Sequence, residues 1–354
     1  GCSPFCCAPL ECGSVSSRLF PGCDIVCRTT RRELTLPHSR ESRMRNLNSF
    51  LYLVIVFFFA FLTASLLAPF TIRLIDSIAF LAVLSEYDPA KVFRRLVVVM
   101  FLVGLYLWRR RLAIPPASEI GLTRHSCWKS NLMAGICIGV LGLSLVQSAT
   151  VVLGHRILDP ERDLTVFSIV NAMLNGFCTA VVVGILEEIV FRGVLFHALL
   201  QRTGRGVAVI GTSLIFAALH YFRTGDSEIP RHSLWIGPLA AWELLQGWWD
   251  RFHLFPDFTG LVLVSVVLCW SVLLSRDIYT AIGLHAGWVF VIQASKRLFD
   301  RADNISPVLF GGSQLYDGFV TIVLLAGMIP FLHLCLRLGW FKVAPGDGER
   351  HGEG

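Results

Sequence analysis

Leu186-Glu187-Glu188-Ile189-Val190-Phe191-Arg192-Gly193 places two carboxylates and a guanidinium in a stretch that has no other Asp, Glu, Lys or Arg from Val166 to Leu200. A charge at the centre of a membrane helix costs about 2.5–3.5 kcal/mol on insertion scales, so ionisable groups kept there mark functional sites by default. The spacing also sorts the three groups. Residues four apart share a helix face, which pairs Glu188 with Arg192, whereas Glu187 points about 100° away around the helix. Arg192 is therefore expected to neutralise and orient Glu188, leaving Glu187 free as a base or a ligand.

The rest of the chain shows that this stretch belongs in a membrane. Of 354 residues, 54% are hydrophobic and 16% charged, with a mean hydropathy of +0.64, against about a quarter charged for a soluble domain. Eight apolar segments follow one another: Phe50–Phe70, Val92–Trp108, Asn131–Gly154, Val166–Leu186, Gly206–Phe222, Phe258–Ser275, Ile278–Ser295 and Gly318–Leu338. Each is near the length needed to cross the hydrocarbon core. The expectation is an all-α, polytopic transmembrane bundle of about eight spans, the last broken by Pro330. Residues 71–91 read as an interfacial helix and turn, and residues 223–257, rich in Trp and Pro, as interface sequence. Net charge is +6, but the basic residues sit at segment ends, as at Arg94-Arg95, Arg109-Arg110-Arg111 and Lys296-Arg297. That is membrane anchoring, not nucleic-acid binding.

Six of the eleven cysteines, Cys2, Cys6, Cys7, Cys12, Cys23 and Cys27, crowd the first 27 residues. A disulfide or zinc module is one reading of such a cluster. The first methionine, Met44, leads directly into the first apolar run, so residues 1–43 are read instead as an upstream, disordered or non-native extension. The bundle is expected to span residues 44–338, with a disordered tail at 339–354.

The fifth and seventh spans each carry a single histidine. His220 ends Phe216-Ala217-Ala218-Leu219-His220, and His285 opens His285-Ala286-Gly287-Trp288-Val289. Small residues beside both allow close helix approach and would bring the imidazoles together. Two glutamates, an arginine and two histidines from three spans can activate water, either through Glu187 with a histidine or through a divalent metal such as zinc held by Glu187, His220 and His285. His197 and His333 read as packing residues, and Asn171 with Asn175 as hydrogen-bonding links between helices.

At these positions the chain resembles the CPBP family, the CAAX-protease and bacteriocin-processing membrane proteins also called the Abi family. Its Glu-Glu-x-x-x-Arg motif is matched by Glu187, Glu188 and Arg192, and its Phe-x-x-x-His motif by Phe216 and His220. The third motif, His-x-x-x-Asn or a related polar residue, is matched at His285 and departs at Val289. The resemblance covers residues 160–295. It implies an intramembrane endopeptidase, CAAX prenyl protease-like and described as either metalloprotease or glutamate-type. Glu187 would be the general base toward water, His220 its partner on that water and His285 the oxyanion stabiliser, with Glu188 and Arg192 in support. The substrate would be a membrane-bound peptide or protein, and the expected location a bacterial cytoplasmic membrane as a multi-pass protein. A non-catalytic alternative, a bacteriocin-immunity factor or scaffold, keeps the same polar cluster for structure.

Overall fold

Backbone polar groups in hydrocarbon must be satisfied within their own segment, and a helix does this for an apolar run. The computed structural model describes residues 40–78, 88–109, 121–122, 125–158, 165–220, 229–252, 256–302, 309, 311 and 318–344. Most of the extension expected at 1–43 and the tail beyond residue 344 lie outside the described residues. Residues 46–354 form one compact unit, which carries the apolar segments.

The helices in chain order are α1 (Arg40–Ser77), α2 (Pro89–Leu107), α3 (Trp128–Val152), α4 (Val166–Glu188), a wide π-helical segment (Ile189–Phe196), α5 (His197–Thr203), α6 (Arg205–His220), α7 (Ile236–Phe252), α8 (Asp257–Ser275), α9 (Tyr279–Leu298) and α10 (Phe319–Arg337). Their starts follow local chemistry. Asp88 caps α2 by accepting from the Ala90 amide, with Pro89 in the first turn, and Thr165 caps α4 by accepting from Ser168. The all-α bundle expected from the sequence is what forms. A short antiparallel ribbon, β1 (Arg156–Leu158) with β2 (Phe299–Arg301), ties the exit of α3 to the exit of α9.

Within the described residues each of the eight apolar segments forms a helix, but they are not equal. Among the described residues five helices are long and apolar enough to cross a membrane: Val54–Ser77, Trp128–Val152, Val166–Gln201, Asp257–Ser275 and Phe319–Arg337. The other three fall short for visible reasons. α6 has only 16 residues, α2 carries Lys91, Arg94 and Arg95, and α9 carries His285, Gln293, Lys296 and Arg297. Of residues 71–91, expected as an interfacial helix and turn, residues 71–77 continue α1 through Pro69 to Ser77 and residues 79–87 lie outside the described residues. Two expectations are corrected. α10 continues through Pro330 unbroken, since one lost backbone bond is tolerated in a packed membrane helix. Asn171 and Asn175 do not join helices: both are exposed, and the Asn175 amide donates to the Asn171 carbonyl and side-chain oxygens on α4 itself.

α9 can be polar because two apolar helices enclose it. Gly135 and Gly139 on α3 face Gly283 and Gly287 on α9, so closely that a methyl group at Gly283 would overlap the Leu132 carbonyl and one at Gly139 the Leu284 carbonyl. On its other side α9 meets α4, where Gly184 lies against Ala286 and Gly176 against Phe290. Small residues four apart on both partners give this backbone-to-backbone approach in a membrane. α8 packs between α6 and α10, and also reaches the π-helical segment. A second apolar core joins α1, α2 and α7 around Ile72, Phe93 and Ile236. The outer surface is apolar, as at Phe167 and Leu145, which suits lipid and not water.

Candidate active site

The carboxylate pair lies where α4 gives way to the wider turns of residues 189–196, and such widenings recur at functional sites. Glu188 and Arg192 nonetheless meet as their four-residue spacing predicts, with Arg192 Nη1 donating to Glu188 Oε1 at 2.8 Å and both side chains fully buried. The same oxygen of Glu188 accepts a second bond, from His285 Nδ1 at 2.7 Å. His285 reaches it because Gly184, one turn before Glu188, lets α4 and α9 come together.

Glu187 points elsewhere, toward the two histidines. Its Oε2 lies 3.6 Å from His220 Nε2 and 3.9 Å from His285 Nε2, with about a third of the Glu187 side chain exposed. His220 is held by its own helix, Nδ1 donating to the Phe216 carbonyl at 2.9 Å. This bond runs back one helical turn and gives the Phe-x-x-x-His spacing a physical reason. With both Nδ1 hydrogens engaged by acceptors, both imidazoles turn Nε2 toward one carboxylate oxygen. Separations above 3.5 Å between such groups are the kind that a water bridges.

Phe216 sits among all of these groups. Its ring centroid is 4.1 Å from that of His220, 6.3 Å from that of His285 and 4.9 Å from Arg192 Cζ. A cation over an aromatic face is stabilised by the ring quadrupole, the more so when desolvated. On the far side of Arg192, Nη2 donates to Ser265 Oγ at 3.0 Å and approaches the Ser265 carbonyl at 3.4 Å. Buried atoms with no hydrogen-bond partner among the described residues include Glu187 Oε2, Glu188 Oε2 and Arg192 Nε.

The structure thus brings together all five sequence-derived residues, Glu187, Glu188, Arg192, His220 and His285. His333 accepts from Trp270 Nε1 and lies against the Ile329 carbonyl, as a packing histidine does. Two features escape sequence reasoning: the bifurcated role of Glu188 Oε1, and Ser265. The one available signal for Ser265 is a hydroxyl inside an uncharged span, which many structural serines share. Val289, half-buried on α9, offers no side-chain hydrogen-bonding group. Among the described residues no group of three His, Cys, Asp or Glu side chains is arranged to hold a metal ion, the Glu187, His220 and His285 set included.

This geometry, a carboxylate flanked by two imidazoles and backed by a second, cation-paired carboxylate, falls wholly within a segment that matches a family model. Residues 169–291 match the family described as Type II CAAX prenyl endopeptidase Rce1-like. The resemblance carried by the motifs is borne out. The match supports a CAAX-type intramembrane endopeptidase, and with the five apolar helices an integral membrane protein. No curated protein and no solved structure matches the chain.

Proposed function

We propose that this protein hydrolyses a peptide bond near the C-terminus of a membrane-anchored, CAAX-type substrate, with water activated by Glu187 and His220. The observation that carries the reading is the convergence of His220 Nε2 and His285 Nε2 on Glu187 Oε2. A water between Glu187 and His220 gives its proton to Glu187 as its oxygen attacks the scissile carbonyl carbon. The carbonyl becomes an oxyanion, the C–N bond breaks, and the proton held by Glu187 passes to the leaving amine.

His285 stabilises the oxyanion from Nε2, the nitrogen it turns toward Glu187. Glu188 accepts from His285 Nδ1 and fixes the ring, as a carboxylate does for the histidine of a catalytic triad. With valine at 289, His285 does without the polar neighbour found in the family motif. An oxyanion donor is worth about 10²–10³ in rate, and His285 supplies that share here.

Removing a positioned general base costs typically about 10²–10⁴ in rate. Glu187→Gln should therefore remain folded and inserted while cleavage of a farnesylated CAAX peptide falls by at least about a hundredfold, and His220→Ala should fall in the same range. Undiminished cleavage by Glu187→Gln would end the proposal.

A further inference from the structure

We infer that Ser265 on α8 is a positioning residue of this site, holding Arg192 so that Glu188, and through it His285, is aimed. The inference rests on the peptidase reading above and extends it to a helix that carries none of the three motifs. Arg192 is 1% exposed and spans two helices, with Nη1 on Glu188 Oε1 and Nη2 on Ser265 Oγ. A guanidinium is planar, so anchoring both arms fixes the plane as well as the position of the charge. Arg192 Cζ lies over the Phe216 ring, 4.9 Å from its centroid.

The consequence reaches the histidine because one atom is shared. Glu188 Oε1 accepts from both Arg192 and His285, so a shift of the guanidinium moves the oxygen that orients the imidazole. Ser265 itself is fully buried between Val264 and Val266, in a run from Leu261 to Leu268 where every other side chain is aliphatic. A hydroxyl in such a run costs free energy unless it is hydrogen-bonded. Its bond to Arg192 accounts for its presence there. Ser265 acts through Arg192 and Glu188; the longer bond from the same Nη2 to the Ser265 carbonyl, 3.4 Å, does not depend on the side chain.

The test compares Ser265→Ala, Ser265→Thr and Ser265→Val in full-length protein reconstituted in proteoliposomes, with a farnesylated CAAX peptide as substrate. Thr and Val have nearly the same volume and differ by the hydroxyl, so their difference reports the hydroxyl and cancels packing. The expected result is Thr within about threefold of the parent, while Ala and Val lose about ten- to a hundredfold in kcat, the scale for partners that orient a ligating or catalytic group, with KM within about twofold. Val as active as Thr, or Ala with the parent kcat, overturns the inference. Should neither β-branched variant accumulate, Ser265→Ala decides alone, a kcat loss at constant KM supporting the inference and a parent-like kcat overturning it. Glu187→Gln is run alongside. If it still cleaves, the peptidase reading has failed and the inference falls with it; if it is inert while Val equals Thr, the inference alone has failed.

Discussion

Arg192→Ala separates the architecture of the site from its chemistry. The substitution leaves Glu188 with its side chain fully buried and its cation gone, and it removes a 2.8 Å bond to Glu188 and a 3.0 Å bond to Ser265. Breaking a buried ion pair by deleting one partner costs about 3–5 kcal/mol, and truncating a large buried side chain adds a cavity. His285 limits the loss, because its Nδ1 still donates to the same Glu188 oxygen. The expected destabilisation is thus about 3–5 kcal/mol, read as a shift in thermal unfolding of the detergent-solubilised protein. Arg192→Lys should recover only part of it, since an ammonium cannot bridge Glu188 and Ser265 in one plane. Glu187→Gln, at a side chain about a third exposed, should leave the unfolding temperature unchanged. A double variant, Glu188→Gln with Arg192→Ala, should be less destabilised than the sum of the singles, because no orphaned charge remains. An Arg192→Ala protein as stable as the parent, or a Glu187→Gln protein as damaged as Arg192→Ala, would refute this division of labour.

Two other predictions concern the scaffold and the chemistry. Gly283→Leu drives a side chain into the Leu132 carbonyl and the Ile136 amide of α3, so the full-length protein should fail to accumulate in membranes, whereas Gly327→Leu on α10, with open space around it, should accumulate normally; western quantification of membrane fractions checks both. If Glu187 and His220 activate water as proposed, cleavage should survive exhaustive treatment with a metal chelator; loss of activity that returns with zinc would move that step to a bound ion.

Much of this architecture is legible because membrane sequence is constrained in one dimension. The runs at Asn131, Val166, Phe258 and Gly318 each form a helix near its expected limits, since an apolar run in lipid has few ways to satisfy its backbone. The Glu188–Arg192 pair is legible for the same local reason, a fixed rise and turn between residues four apart. What sequence cannot supply is contact between helices. Ser265 is 73 residues from Arg192, and the apposition of Gly135 and Gly139 with Gly283 and Gly287 requires knowing which helices are neighbours. The misreadings have the same origin. Asn175 donates to Asn171 along α4, which a polar side chain can do without a partner helix. Pro330 reads as a break in isolation, where packing against neighbouring helices sustains continuity.

The central claim is that this bundle is a protease that works through Glu187. The most direct test is mass-spectrometric detection of the released C-terminal tripeptide when purified protein in proteoliposomes meets a farnesylated CAAX peptide. The parent protein should release stoichiometric tripeptide, and Glu187→Gln none above background at an unaltered unfolding temperature. Equal tripeptide release from both, or none from the folded parent, would contradict it.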